Sequence, residues 1–164
     1  MRPIMLKNYE LVNSFIDRET ADNYFGQLLD LPWQQVTWST GKPLPRLVYQ
    51  ATDGGGVLDE LRRLVENNFG IPIRGIWCNQ YRNGADYTPE HQDSYGGYVF
   101  TISFGATRRF IFRNIKTSEK IELLPEHGDL YYFSPSMNNT HKHSVPKIRA
   151  REDNGMRISV VLFA

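Results

Sequence analysis

The sequence contains very little cysteine and has almost no net charge. Its single cysteine, Cys78, excludes an internal disulfide and a zinc site built from several thiolates. A formal net charge of +1 provides no long-range field, whereas a dedicated DNA-binding module is usually more basic. No apolar run approaches the length of a membrane span, and no signal-like apolar segment precedes Tyr9. These absences predict a soluble, unprocessed, intracellular protein, cytoplasmic or nuclear, with no membrane contact.

The sequence does contain enough apolar material for one packed domain. Hydrophobic residues make up 40% of the chain and aromatic residues 13%, which excludes a largely disordered protein. A length of 164 residues suits a single core, and no linker divides it. We therefore expect one domain over residues 1–164, acting as a monomer.

Two amphipathic helices are predicted within the first 70 residues. Asp17 has the chemistry of an N-cap, and apolar residues recur after it at helical spacing until Pro32. A second helix follows the glycine-rich segment 53–56 and ends near Gly70. The polar stretch 37–56 between the helices is typical of a loop.

From residue 71 onward, short β-rich runs alternate with turn signals. Within one run, Phe100 and Ile102 share one face while Thr101 and Ser103 share the other, which is the period of a strand. Six such runs predict an antiparallel sandwich or barrel. They are residues 75–81, 98–104, 110–113, 120–124, 130–133 and 157–163. The predicted fold is mainly β, with two N-terminal helices packed on the sheets.

A candidate metal site lies in the sequence His91-Gln92-Asp93. On extended backbone, residues two apart point the same way, so the imidazole and the carboxylate could bind one ion. His141 and His143 are both candidates for a third ligand. Two imidazoles and one carboxylate on one octahedral face leave three positions open, as in non-haem Fe(II) oxygenases. Without further signals, the pair is equally typical of a surface loop.

Two polar pairs provide candidate ligands for a carboxylate co-substrate. Arg157 and Ser159 point to the same side at the start of the last run and offer a guanidinium and a hydroxyl. Asn79 and Tyr81 likewise share a face and offer an amide and a phenol. Each residue also has an ordinary structural explanation, as an exposed arginine or as a polar or packing residue of a sheet.

Several segments together resemble AlkB-type dioxygenases in their order along the chain. They are residues 41–46, 79–93, 103–113, 128–130 and 139–146. The resemblance implies a double-stranded β-helix (jelly-roll, cupin-like) core over residues 71–164. It also implies a helical N-terminal extension over residues 1–70 with a shortened substrate lid. Fe(II) is the implied metal, with 2-oxoglutarate and O2 as co-substrates.

The resemblance also assigns residues to these groups. It gives the metal to His91, Asp93 and His143, because the family's ligand histidine precedes a small residue, an apolar residue and often proline. It assigns the binding of 2-oxoglutarate to Asn79, Tyr81 and Arg157. Ser159, on the same side of the strand as Arg157, is predicted to add a hydroxyl donor. The implied activity is oxidative demethylation of alkylated bases in single-stranded DNA or RNA, as in DNA repair. Candidate substrate residues are Arg46, Tyr87, Glu90, Tyr95 and Arg109.

Two positions depart from the family pattern and favour an alternative substrate. Phe163 stands where the family has a second arginine, and Tyr95 stands where nucleic-acid dealkylases tend to have an acidic residue. Both favour a 2-oxoglutarate-dependent hydroxylase of a protein side chain or a small molecule on the same scaffold. A third possibility is a β-sandwich binding protein without catalysis. The placement of the three metal-ligand candidates and Arg157 argues against it.

Overall fold

In the computed structural model, which describes residues 5–51 and 55–164, ten strands form two antiparallel sheets. The strands are β1 (Tyr9–Val12), β2 (Leu47–Gln50), β3 (Gly75–Tyr81), β4 (Thr88–His91), β5 (Val99–Gly105), β6 (Phe110–Asn114), β7 (Lys120–Leu123), β8 (Leu130–Phe133), β9 (His141–Val145) and β10 (Arg157–Phe163). The helices are α1 (Arg18–Leu29), α2 (Gly56–Phe69) and α3 (Pro135–Thr140), with a 3-10 turn at Ala150–Glu152. The larger sheet has the order β1-β8-β5-β10-β3-β2, and the smaller has the order β4-β9-β6-β7.

Local signals explain where α1 and α2 begin and end. The Asp17 carboxylate accepts a hydrogen bond from the Thr20 backbone N–H at 2.9 Å, which caps the start of α1. Gly70 ends α2 in the left-handed conformation, with φ of 69°, and its N–H donates to the Glu66 carbonyl. Leu28 of α1 and Leu61 of α2 are fully buried. Both helices therefore pack an apolar face into one core with the larger sheet.

A second core lies between the two sheets and is rich in aromatic residues. Its members include Tyr81, Phe110, Phe112, Tyr131 and Phe133. The predicted faces of β5 are confirmed, because Phe100 and Ile102 join the helix-side core. Thr101 lines the space between the sheets instead. The polar residues that alternate with the apolar ones thus point towards the inside of the sandwich.

The six predicted strands are present to within a residue or two, but the structure has four further strands. The expectation of a continuous loop over residues 37–56 is wrong, because β2 lies within it and pairs with β3. The part of that loop at residues 52–54 lies outside the described residues. β1 and β2 are edge strands of four residues, and Pro89 lies within β4. β9 has the mostly polar sequence His-Lys-His-Ser-Val. These strands depend on pairing with neighbours rather than on a strong local pattern.

The described helices include none with the length and apolar character needed to cross a lipid bilayer.

Candidate active site

The three predicted metal ligands come together where β4 lies beside β9. His91 and His143 are direct partners in this antiparallel pair, and Asp93 follows in the loop after β4. Each residue offers a ligand atom within 4.8 Å of the others. Asp93 Oδ1 lies 3.3 Å from His91 Nε2 and 3.6 Å from His143 Nε2. One ion could be bound by all three, with two nitrogen ligands and one oxygen ligand.

His141, the other candidate for the third ligand, does not belong to this cluster. It lies at the start of β9, where it pairs with Asn114. Its Nδ1 lies 2.7 Å from the Thr140 hydroxyl. This geometry favours His143 rather than His141 as the third metal ligand.

Neighbouring groups orient the cluster. His91 Nδ1 lies 2.9 Å from the Pro89 carbonyl oxygen, so it can donate a hydrogen bond there and leave the Nε2 lone pair for a metal. Asn138 in α3 holds the backbone of Asp93 at both ends. Its Oδ1 accepts from the Asp93 N–H at 3.0 Å, and its Nδ2 donates to the Asp93 carbonyl at 2.8 Å. No local pattern predicts this role of Asn138, because the contact spans 45 residues.

The electrostatics of the cluster suit metal binding. Burial acts to raise the pKa of Asp93, but hydrogen bonds from His143 and His91 outweigh it and hold that pKa well below its usual range. Burial lowers the pKa of His143, which favours the neutral imidazole. Burial also opposes the charged form of His91, yet hydrogen bonds to Asp93 and to the Pro89 carbonyl raise its pKa overall. An ionised carboxylate and a neutral imidazole are the forms that bind metals.

A cavity of about 220 Å³ extends from the cluster into the space between the sheets. We call it the metal cavity. It is lined by Arg46, Trp77, Asn79, Tyr81, Thr88, His91, Asp93, Val99, Thr101, Phe110, Tyr131, Phe133, His143, Ser144, Val145, Ser159, Val161 and Phe163.

Arg157 is fully buried beside this cavity. Its Nε donates to the Ser103 hydroxyl at 2.8 Å, and its Nη2 donates to the Tyr131 hydroxyl at 3.2 Å. Within the described residues, Nη1 has no hydrogen-bond partner, and no carboxylate forms a salt bridge with this guanidinium. A buried charge without a partner is costly, so the site suits an incoming carboxylate.

The other predicted co-substrate residues lie next to Arg157 on the same face of the larger sheet. Arg157 pairs with Tyr81, and Ser159 pairs with Asn79, across β10 and β3. Asn79 Nδ2 donates to the Ser159 hydroxyl at 3.2 Å. Asn79 Oδ1 accepts from Arg46 Nε at 2.7 Å and from Trp77 Nε1 at 2.9 Å. A polar network therefore connects Arg157's neighbours with Arg46 at the cavity wall.

Comparison with known proteins identifies the family. Residues 48–162 match the family model described as the 2OG-Fe(II) oxygenase superfamily. The chain belongs to this superfamily. The donor set His91, Asp93 and His143 fits Fe(II), the metal in the family's description.

Curated relatives support the resemblance to AlkB-type members. DNA oxidative demethylase ALKBH2 of Mus musculus is 33% identical over 108 residues, which cover 58% of this chain and 45% of the relative. The Homo sapiens protein of that name is 29% identical over 103 residues, covering 55% and 40%. The chain thus spans about half the length of the curated relatives it matches.

A solved structure supports the fold. The 2OG-Fe(II) oxygenase family oxidoreductase from Burkholderia pseudomallei aligns with a TM-score of 0.68 at 19% identity. The alignment covers 95% of this chain and 84% of that chain. At this identity the likeness concerns the fold alone, and it confirms the expected jelly-roll core.

Phe163, the position without the second arginine, lines the metal cavity of this oxygenase. Its ring centre lies 5.1 Å from that of Tyr95, at an angle of 59°. Tyr95 therefore packs against Phe163. This wall of the cavity is therefore apolar at the position where the family has a second arginine. Arg157 is the single positively charged residue of β10.

The structure separates the five candidate substrate residues. Arg46 lines the metal cavity and also an adjoining surface groove. Glu90 lines this groove, whereas Tyr95 lines neither the cavity nor the groove but packs against Phe163 of the cavity wall. The groove of the oxygenase, called the outer groove below, is formed by Trp38, Ser39, Leu44, Arg46, Thr88, Pro89, Glu90 and His91.

Tyr87 and Arg109 line neither the metal cavity nor the outer groove, and their contact with substrate stays a prediction. Both line a neighbouring depression that shares Thr88, Pro89 and Glu90 with the outer groove. Lys147 Nζ lies 4.7 Å from the centre of the Tyr87 ring, and Arg109 Nη1 lies 3.8 Å from a Glu122 carboxylate oxygen.

Trp38 is a residue of the outer groove that the sequence analysis did not identify. The backbone N–H of Trp38 donates to the Lys42 carbonyl at 2.7 Å, and Thr37 forms a β-bridge with Pro43. These contacts make a small hairpin. The Trp38 side chain is 43% exposed despite its size. An exposed indole near a metal site is a potential stacking surface.

Proposed function

We propose that this oxygenase demethylates alkylated bases in single-stranded DNA or RNA. The observation that carries the proposal is the outer groove, which runs from the metal ligand His91 past Arg46 to the exposed indole of Trp38. Aromatic side chains stack on bases, and arginine binds phosphate or base edges. Two of the curated relatives are named as DNA demethylases, which supports the same substrate class.

In this proposal, each part of the site has a defined task. His91, Asp93 and His143 hold Fe(II), and Arg157 binds the distal carboxylate of 2-oxoglutarate. When bound, these groups supply the chemistry: O2 and 2-oxoglutarate give succinate and CO2, and a substrate N-methyl group leaves as formaldehyde with an N–H in its place.

The neighbouring residues position and shield these groups. Asn79, Tyr81 and Ser159 add hydrogen-bonding groups around the co-substrate. Phe110 and Phe133, whose rings lie 5.5 Å and 5.0 Å from that of His143, restrict access of water to the metal.

The small size of the surrounding structure favours single-stranded substrates. A base in a duplex must be flipped out before it reaches a buried metal, which costs a few kcal/mol. The hairpin at residues 37–43, which contributes Trp38 and Ser39 to the outer groove, is short. We propose that it stacks on a base that is already exposed.

We also propose that residues 1–164 act as one domain. β1 pairs with β8 and β2 pairs with β3, so strands from the first 50 residues complete the larger sheet. Removing the N-terminal extension would remove β1 and β2 and so expose the edges of β8 and β3.

Release of formaldehyde tests the demethylase proposal. The purified protein is supplied with Fe(II), 2-oxoglutarate and O2, together with a methylated single-stranded oligonucleotide, its duplex form or the unmethylated sequence. We expect equal amounts of formaldehyde and succinate, fastest with the methylated single strand, and none with the Asp93→Ala variant. If peptides or metabolites stimulate succinate formation and no oligonucleotide does, the proposal is wrong.

A second candidate function is hydroxylation of a protein side chain or a small molecule. The apolar wall made by Phe163 and Tyr95 favours it, because this wall offers no charge to a nucleotide. A net charge of +1 is also low for a nucleic-acid enzyme. A product with one added oxygen atom and no formaldehyde would support this alternative.

A further inference from the structure

We propose that the site selects methylated bases that carry no positive charge. This inference rests on the proposed demethylase function and defines its substrate class. Methylation at ring N1 of adenine or ring N3 of cytosine produces a cationic base. Methylation at N3 of thymine or uracil, or at the exocyclic amine of adenine, leaves the base neutral. The charges around the metal cavity favour the second group.

Arg46 provides the excess positive charge. It lines both the metal cavity and the outer groove, so a base that approaches the metal passes close to it. Its Nε is held by Asn79 Oδ1 at 2.7 Å, and within the described ranges it takes part in no salt bridge. Burial lowers the pKa of Arg46, yet a guanidinium stays charged at neutral pH.

No free carboxylate balances this charge on the substrate side. Apart from the metal ligand Asp93, Glu90 is the acidic residue among the described residues that line the cavity or the groove. Arg113 already occupies both of its oxygens, with three N···O distances between 2.6 and 3.0 Å. Glu90 therefore has little capacity left to stabilise a cationic base.

The total charge of the loaded site leads to the same result. The charges of Fe(II), the Asp93 carboxylate, a 2-oxoglutarate dianion and Arg157 cancel. Arg46 then leaves one positive charge in excess, whether its guanidinium contacts the co-substrate or the substrate. A cationic base would be repelled at short range in a site of low dielectric, whereas a neutral base would not.

Equilibrium binding of two matched oligonucleotides tests this inference. One single strand contains N3-methylcytosine, which is cationic, and the other contains N3-methyluracil at the same place, which is neutral. Mn(II) replaces Fe(II), and a non-reactive 2-oxoglutarate analogue fills the site, so that binding is measured without turnover. We expect the neutral oligonucleotide to bind about ten-fold more tightly, as a like charge at short range implies.

Variants then show whether Arg46 is the cause. Arg46→Met is expected to reduce the preference to about two-fold or less, mainly by strengthening binding of the cationic strand, while Arg46→Lys retains it. Arg18→Met removes the same charge at an exposed position that lines neither the cavity nor the groove, and should leave the ratio unchanged. Equal or tighter binding of the cationic strand by the unaltered protein overturns the inference, as does an unchanged ratio in Arg46→Met. Failure of the demethylase proposal is distinct, because neither strand then releases formaldehyde although the binding ratio is still measured.

Discussion

Arg108 and Arg157 are both buried against Tyr81, with each guanidinium carbon 5.3 Å from the centre of its ring. Their hydrogen bonds differ. Arg108 donates to the backbone carbonyls of Asn83, Asp86 and Pro146 at 2.7 to 3.2 Å. Arg157 donates to two hydroxyl groups instead. In the described part of the chain each guanidinium has one nitrogen without a partner, and it is Nε in Arg108 but the terminal Nη1 in Arg157. We infer that Arg108 holds the loops together and that Arg157 binds a ligand.

Replacing Arg157 with methionine should weaken binding of 2-oxoglutarate by about ten- to hundred-fold, since a hydrogen bond to a charged group contributes about 1.5–3 kcal/mol. Calorimetric titration of the Mn(II)-loaded protein with 2-oxoglutarate measures this loss. The stability of the ligand-free protein should change little, because the variant also removes a buried charge that lacks a carboxylate partner. Unchanged affinity would mean that another residue anchors the co-substrate.

Replacing Arg108 with methionine should lower the stability of the protein and leave its affinity for 2-oxoglutarate nearly unchanged. It removes three hydrogen bonds to backbone carbonyls, so we expect the free energy of unfolding to fall by about 2–4 kcal/mol. Urea denaturation measures the effect, and the affinity of the folded fraction for 2-oxoglutarate should stay within about two-fold. The exposed neighbour provides the control, since Arg109→Met should change stability by less than about 0.5 kcal/mol. Equal stability of the two variants would contradict the proposed role of Arg108.

The two histidines of β9 provide a matched test of the metal site. His143→Ala should abolish tight Fe(II) binding and succinate formation, because it removes one of the three ligands. His141→Ala should retain both, since that imidazole lies outside the cluster and contacts Thr140. Anaerobic Fe(II) titration and circular dichroism separate loss of metal from loss of fold. Retained metal binding in His143→Ala with its loss in His141→Ala would reverse the assignment.

Trp38 should affect the substrate and not the co-substrate. Trp38→Ala is expected to raise KM for a methylated single-stranded oligonucleotide by about five- to hundred-fold, because stacking on a base contributes about 1–3 kcal/mol. Steady-state kinetics with each substrate varied in turn should show an unchanged KM for 2-oxoglutarate. Leu124→Ala, which removes another exposed apolar side chain, should change neither constant. An oligonucleotide KM equal to that of the unaltered protein would exclude stacking on Trp38.

Local alternation was sufficient to predict the parts of the site that lie on regular strands. Asn79 and Tyr81 on β3, and Arg157 and Ser159 on β10, are each two residues apart, and the strand register pairs them across the larger sheet. His91 and Asp93 are also two residues apart and both line the metal cavity, although Asp93 lies in the loop after β4. The resemblance to a known family then selected His143 over His141, which spacing alone left open.

Contacts between distant segments could not be predicted in this way. Asn138 holds Asp93 across 45 residues, and Glu90 binds Arg113 across 23 residues. Arg46 reaches the metal cavity because β2 pairs with β3, in a segment whose composition is typical of a loop. Each of these contacts depends on strand pairing and register, which local sequence does not specify.

Anaerobic titration with Fe(II), followed by 2-oxoglutarate, tests the central claim most directly. The unaltered protein should bind one Fe(II) per chain and develop a visible charge-transfer absorption only after 2-oxoglutarate is added. Asp93→Ala should show neither. An absorption of equal intensity in Asp93→Ala, or none in the unaltered protein, would contradict a metal site formed by His91, Asp93 and His143.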